Sequence, residues 1–151
     1  MNQASDKEME PPDFAAIFEN LPQPYLVMDN HFVIVAQNDA HAAVTKMKRG
    51  DAIGRQLFEV YPDNPHNSNA DGVSYLRASI LKVIKSREPD EIALQQYDVQ
   101  RPLAEGGRFE TRYWRVRNIP ILDDSGYVQW ILNCPQDVTE QVDEPAGTRP
   151  S

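Results

Sequence analysis

The sequence predicts an α+β fold, one antiparallel sheet with helices on one face, and three observations carry the prediction. Helical and strand-like patterns are segregated along the chain instead of alternating as in parallel α/β folds: a helix and a hairpin, then several helices, then three strand-like runs. Those last runs are separated by Glu105-Gly106-Gly107 and Asp123-Asp124-Ser125-Gly126, short turn sequences of the kind that join antiparallel neighbours. A length of 151 residues with 40% apolar content suits one domain that buries a core without a disulfide or metal staple.

Residues 1–12 are polar, end in Pro11-Pro12 and read as a flexible tail. Asp13 is a good N-cap, and Phe14, Ile17, Phe18 and Leu21 recur at helical spacing until Pro22 and Pro24 stop the helix. Strands at 25–28 and 32–37 follow, joined by Asp29-Asn30-His31, where Asp and Asn tolerate the positive φ of a tight turn. Asn38 or Asp39 caps a helix reaching about residue 46, and 47–60 reads as short helical turns punctuated by Gly50 and Gly54. A Pro, Asn, Asp and Ser loop at 62–71 leads into the main helix, 72–87, with Val73, Leu76, Ile80, Val83 and Ile84 on one buried stripe. Strands at 91–99, 109–121 and 127–134 bring the total to five.

Asp137-Val138-Thr139-Glu140 reads as a capping box, with Asp137 accepting from free N–H groups and Glu140 reaching back, while Pro145 and Gly147 keep the exit helix short. The folded domain is expected over 13–140, and 141–151 reads as a tail or the start of an output linker.

Charge and motifs then exclude function classes. Fifteen Lys plus Arg against 23 Asp plus Glu give a net charge of −8, which repels phosphate backbones and anionic lipid heads, so neither nucleic acid nor a membrane is expected as a partner. The longest apolar runs, 25–28 and 32–36, are far too short to span a bilayer. Cys134 is the sole cysteine, zinc spacings are absent, and no apolar signal region follows Met1, a pattern that suits the cytoplasm. The run Asn67 to Gly72 imitates a calcium loop, but its first ligand is a neutral amide and Ala78 stands where the bidentate acid belongs. His31, His41 and His66 form no triad or metal pair and read as surface or partly buried residues; no motif supports an enzyme.

Several pieces in order then carry a resemblance: a hairpin ending in Asn38 (FVIVAQN), Gly54 followed by Leu57-Phe58 and Pro62, the main helix, and the run from Tyr113-Trp114 through Pro120, Asp123 and Gly126 to Asp137-Val138-Thr139-Glu140. From Asp13 to Glu140 the chain resembles a PAS domain, and LFEVYPDNP, LRASILKVI and QQYDVQRP look most like PAS modules placed before bacterial sensor histidine kinases. The resemblance implies strand order 2-1-5-4-3 and a small organic ligand held between sheet and helices. It also implies a relay through Asp137, Thr139 and Glu140 to an output helix, with a histidine kinase or another signalling output domain of a two-component system as the partner. No phosphorylatable His motif or kinase segment follows, so the chain reads as the sensory part of a larger protein or as a free-standing partner. No cofactor is certain. Asn133-Cys134-Pro135 lies on a strand instead of the helix that carries the flavin-adduct Cys, and the main helix offers no His to haem; both cofactors are argued against.

The resemblance implies that the residues two, four and six before the strand-ending Pro120, namely Asn118, Val116 and Trp114, face the ligand side. On the last strand Asn133 and Ile131 turn the same way, unless Pro135 introduces a bulge. The expected site has Asn118 and Asn133 hydrogen-bonding a partly apolar ligand against Trp114. Leu26 and Met28 form its floor, and the helix contributes Leu76, Ile80 and Val83. The competing reading has both amides satisfy nearby loop backbone. Trp130, Leu132 and Cys134 alternate onto the outer face, to be covered by Phe14, Ile17 and Phe18 or by a second subunit in a homodimer. The alternative function is a cofactor-free PAS dimerisation module.

Overall fold

Asp13 caps the first helix as its position demands: its carboxylate accepts from the Ala16 amide at 3.1 Å, and α1 runs Phe14–Asn20. The structure, a computed structural model, describes residues 9–142; of the expected tails, 1–12 and 141–151, residues 1–8 and 143–151 lie outside the described residues. β1 (Leu26–Met28) and β2 (Ile34–Gln37) form the hairpin, and Asp29 ties its turn by accepting from the His31 and Val33 amides at 2.8 and 3.0 Å. Positive φ was expected at Asp29 or Asn30, yet Phe32 adopts it, at 71°, and β2 begins at Ile34 instead of 32. Tertiary packing holds this strained residue: the Phe32 ring lies 5.6 Å from that of Phe58, and its carbonyl accepts from the Leu57 amide at 2.8 Å.

Asn38, fully buried, caps α2 (Asp39–Val44) and also accepts from the Tyr25 amide, which staples the hairpin to the helix. After the short α3 (Leu57–Val60), α4 (Gly72–Ser86) lies across the sheet and packs mainly on the edge strand at 90–96 and less on the strands at 113–122 and 128–137. Leu76, Ile80 and Val83 are buried as the stripe predicts, Val73 and Ile84 are half-buried, and Arg87 ends the helix in the left-handed conformation one residue earlier than expected.

β3 (Asp90–Gln96), β6 (Tyr113–Leu122) and β7 (Val128–Asp137) complete an antiparallel sheet of order β2-β1-β7-β6-β3, the order that the resemblance implies. The expected strands 91–99 and 109–121 are each broken. β4 (Val99–Gln100) and β5 (Phe109–Glu110) form a separate two-stranded ribbon beyond the break, so the described residues hold seven strands, not five. The cause is Asp98, whose carboxylate accepts from the Arg112 amide at 3.3 Å and Asn64 Nδ2 at 2.8 Å and so draws the backbone out of the ladder.

Pro135 introduces no bulge. Amides of an antiparallel strand address alternate neighbours; Val138 N–H reaches the Tyr113 carbonyl on the β6 side, so Pro135 faces the side where the β1 pairing has already ended at Asn133. Its missing N–H costs no ladder bond.

The exit differs from a capping box. Asp137 accepts from the Thr139 amide and hydroxyl at 2.9 and 2.6 Å, and Thr139 Oγ1 accepts from the Tyr113 amide at 2.9 Å. With the cap made locally, Glu140 is exposed and makes no return bond. At the other end, α1 packs on α2 and is held by Arg49 bridging Glu19 and Asp39, not by the outer sheet face. Phe14 and Ile17 are consequently exposed and Phe18 half-buried, while Trp130 and Leu132 are half-buried on the outer face. Among the described residues no helix is long and apolar enough to cross a membrane.

Candidate ligand-binding cavity

The space between α2, α3, α4 and the inner sheet face does not close completely. A cavity of about 70 Å³ remains, walled by Leu57, Leu76, Val99, Val116 and Pro135, by the rings of His41, Tyr61, Tyr97 and Trp114, and by Thr45, Gln95, Asp98 and Asn133. Its outer wall, at Thr45, Tyr61, Asp98 and Val99, is shared with a larger cleft of about 480 Å³ between residues 46–62 and the β4–β5 ribbon. Gly72 lies against one wall residue, because a Cβ there would lie 2.7 Å from the Tyr97 ring. Only glycine lets the start of α4 approach that ring so closely.

Of the ten residues expected at the site, Leu76, Trp114, Val116 and Asn133 line the cavity. Leu26, Met28, Ile80, Val83, Asn118 and Ile131 face the same side but lie in the filled core. The two amides satisfy neither ligand nor loop backbone first; they bond each other. Asn133 Nδ2 donates to Asn118 Oδ1 at 2.7 Å, Asn118 Nδ2 to Ser79 Oγ at 2.9 Å, and Ser79 Oγ to Asp90 Oδ2 at 2.7 Å. The direction of this chain follows from its end. Asp90, its pKa lowered by the Ser79 bond and by Lys82 at 3.1 Å, is ionised and can only accept. Ser79 must therefore receive the Asn118 NH₂, and Asn118 Oδ1 the Asn133 NH₂. Asn133 Oδ1 is left on the cavity side without a donor among the described residues.

A second network supports the opposite wall. Gln37 Nε2 donates to His41 Nδ1 at 2.9 Å and to the Tyr61 hydroxyl at 2.8 Å. Thr45 Oγ1 donates to the His41 carbonyl and therefore accepts from Tyr61. Trp114 Nε1 donates to the Tyr97 carbonyl at 2.8 Å, which fixes the indole on the wall. Gln95 Nε2 donates to the Gly72 carbonyl at 2.8 Å, while its Oε1 is buried and finds no partner.

His41, Thr45, Leu57, Tyr61, Gln95, Tyr97, Asp98, Val99 and Pro135 were not foreseen at the site. The spacing of Gln37, His41 and Thr45 at i, i+4 and i+8 is the one signal that puts the latter two on a single face of α2 and its cap. His41, read as surface or partly buried, is in fact 3% exposed.

Burial lowers the His41 pKa to about 3, so the ring is neutral and, with Nδ1 accepting from Gln37, carries its proton on Nε2. The unfolded chain binds that proton below about pH 6.5 and the native one only near 3. The stabilisation is complete above pH 6.5 and is lost as pH falls through that window. Relative to His41→Asn, the native chain should therefore lose about 2 kcal/mol between pH 7.5 and pH 5. Urea unfolding of both proteins at the two pH values measures it; parallel losses would show that His41 titrates normally.

A family profile described as the PAS fold matches residues 18–143. Comparison with curated protein sequences gives no match. Among solved structures, a sensory box sensor histidine kinase from Vibrio cholerae is similar at a TM-score of 0.55 and 18% identity, over 91% of this chain and 94% of that one. The PAS domain of nitrogen regulation protein NR(II) from Vibrio parahaemolyticus superimposes at 0.60 with 14% identity, over 85% and 100%. A PAS domain from Colwellia psychrerythraea does so at 0.64 with 12% identity, over 84% and 95%.

Proposed function

The chain belongs to the PAS fold family, and from that premise we propose that it is a cytoplasmic sensory module that binds a small molecule between sheet and helices and passes the change to an output domain. The observation that carries the reading is the incomplete closure at Trp114, Tyr61 and Gln95, where Gln95, one of the residues lining a mostly apolar cavity, has a buried side-chain oxygen with no partner among the described residues. A short path leads from there to the exit. Trp114 lines the cavity, and the preceding residue, Tyr113, holds Thr139 through its amide and Val138 through its carbonyl. A shift of the β6 start moves the exit segment with it. Similarity to a sensory box sensor histidine kinase supports a kinase as the output partner.

The size of the cavity favours a second reading, a cofactor-free dimerisation module, because about 70 Å³ is well below the volume of an ordinary ligand pocket. In either reading the outer face, with Val35 and Ile121 exposed beside half-buried Trp130 and Leu132, is the proposed homodimer surface. Native mass spectrometry of the purified chain reads both questions. A dimer carrying a substoichiometric or full added mass that is lost on denaturation is expected; a dimer of bare chains that gains nothing from a metabolite mixture supports the second reading, and a monomer at high concentration removes the dimer.

A further inference from the structure

The polarity of the cavity wall limits what can occupy it. Its hydroxyl and indole donors are all spent: Tyr97 gives its hydroxyl proton to the Tyr61 carbonyl, Tyr61 to Thr45, Thr45 to His41, and Trp114 to Tyr97. Among the described residues, the lining oxygens without a donor are Gln95 Oε1, on a residue 5% exposed, and Asn133 Oδ1 from the chain anchored at Asp90. Beside these two oxygens stand His41 Nε2–H and the second N–H of the Gln95 and Asn133 amides, all on neutral groups. No lysine or arginine lines the cavity, so an anion would enter without a counter-charge.

The one carboxylate, Asp98, sits on the wall shared with the outer cleft and already accepts from Asn64, Gln96 and the Arg112 amide. Its two oxygens are already engaged by these three neutral donors. Inside the cavity, burial keeps the His41 ring neutral. Within the inner cavity an anion meets no cationic side chain, while a buried acceptor without a donor is a standing cost that a ligand can remove.

Resting on the reading that the cavity is a ligand site, we infer that its ligand is an uncharged, planar, hydrogen-bond-donating molecule of the carboxamide type, whose N–H is received by Gln95 Oε1. The four rings of His41, Tyr61, Tyr97 and Trp114 supply flat apolar surface for its body, and the shared wall with the outer cleft gives room for a molecule longer than the inner cavity.

Four probes on one framework test this: benzamide, acetophenone, benzoate and benzylamine, titrated into the full ¹⁵N-labelled chain while the Trp114 indole resonance is followed. Acetophenone replaces the donor NH₂ by a methyl group and changes little else. Benzamide should bind about fivefold or more tightly than acetophenone, the effect of one net hydrogen bond, and both should exceed the two charged probes. Gln95→Leu should abolish the preference while still admitting acetophenone, and Gln95→Met provides the same comparison if the leucine variant fails to fold. Equal or tighter binding of acetophenone, benzoate or benzylamine to the native chain, or a preference that survives loss of the Gln95 amide, overturns the inference and leaves the cavity reading standing. If none of the four perturbs Trp114, the cavity reading falls together with it.

Discussion

Replacing Ile80 by alanine should cost about 2–5 kcal/mol of folding stability, the range for removing a fully buried large aliphatic side chain whose surroundings cannot collapse onto the gap. Ile80 has no exposed surface and lies midway along α4 between Leu76 and Val83, on the stripe that packs against the sheet. The neighbouring Leu81 provides the control. It is 50% exposed on the opposite side of the helix, so Leu81→Ala should cost under about 0.5 kcal/mol. Guanidinium unfolding of the two variants reads the contrast through their midpoints, provided that the slopes match. A loss at Ile80 no larger than at Leu81 would mean that α4 presents a different face to the sheet.

That face was legible because fifteen helical residues carry several turns of one period, and a period-2 signal was equally plain on β6 and β7, where Trp114, Val116, Asn118, Ile131 and Asn133 all turn inward. Alternation assigns a face, however, and not a depth. It could not say that Asn118 and Ile131 lie where core side chains fill the space, while Trp114 and Asn133 lie where a gap remains. β3 shows a second limit. Its register shifts between Ile92 and Gln95, so beyond the bulge Leu94 is 55% exposed and Gln95 turns in. Unbroken alternation from Ile92 would have buried the leucine and exposed the glutamine, which hides a lining residue whose side-chain oxygen is buried without a partner. Phe32 illustrates a third: turn chemistry favoured Asp and Asn for positive φ, and a long-range aromatic contact outweighed it.

Asn118→Leu should cost about 2–3 kcal/mol, although it replaces a buried polar group by an apolar one of similar size, because the loss falls on its partners. Asn118 is completely buried and holds two neighbours at once, accepting from Asn133 and donating to Ser79. Ser79 keeps its stronger bond to the ionised Asp90 and loses only a donor it can do without. Asn133 is worse placed: its NH₂ has no other acceptor among the described residues, and it is 5% exposed. Removing that orphan should recover much of the loss. The double variant Asn118→Leu/Asn133→Leu is therefore expected to be more stable than Asn118→Leu alone, with a coupling of about 1–2 kcal/mol in a double-mutant cycle. Strict additivity would show that the two amides do not depend on each other. The same cycle read with a cavity probe separates packing from wiring, since loss of Asn133 removes an acceptor from the wall whereas loss of Asn118 frees the Asn133 amide to turn its NH₂ towards the ligand. A carboxamide should then lose affinity in both single variants, and acetophenone, which brings only a carbonyl oxygen, should gain it in Asn118→Leu alone.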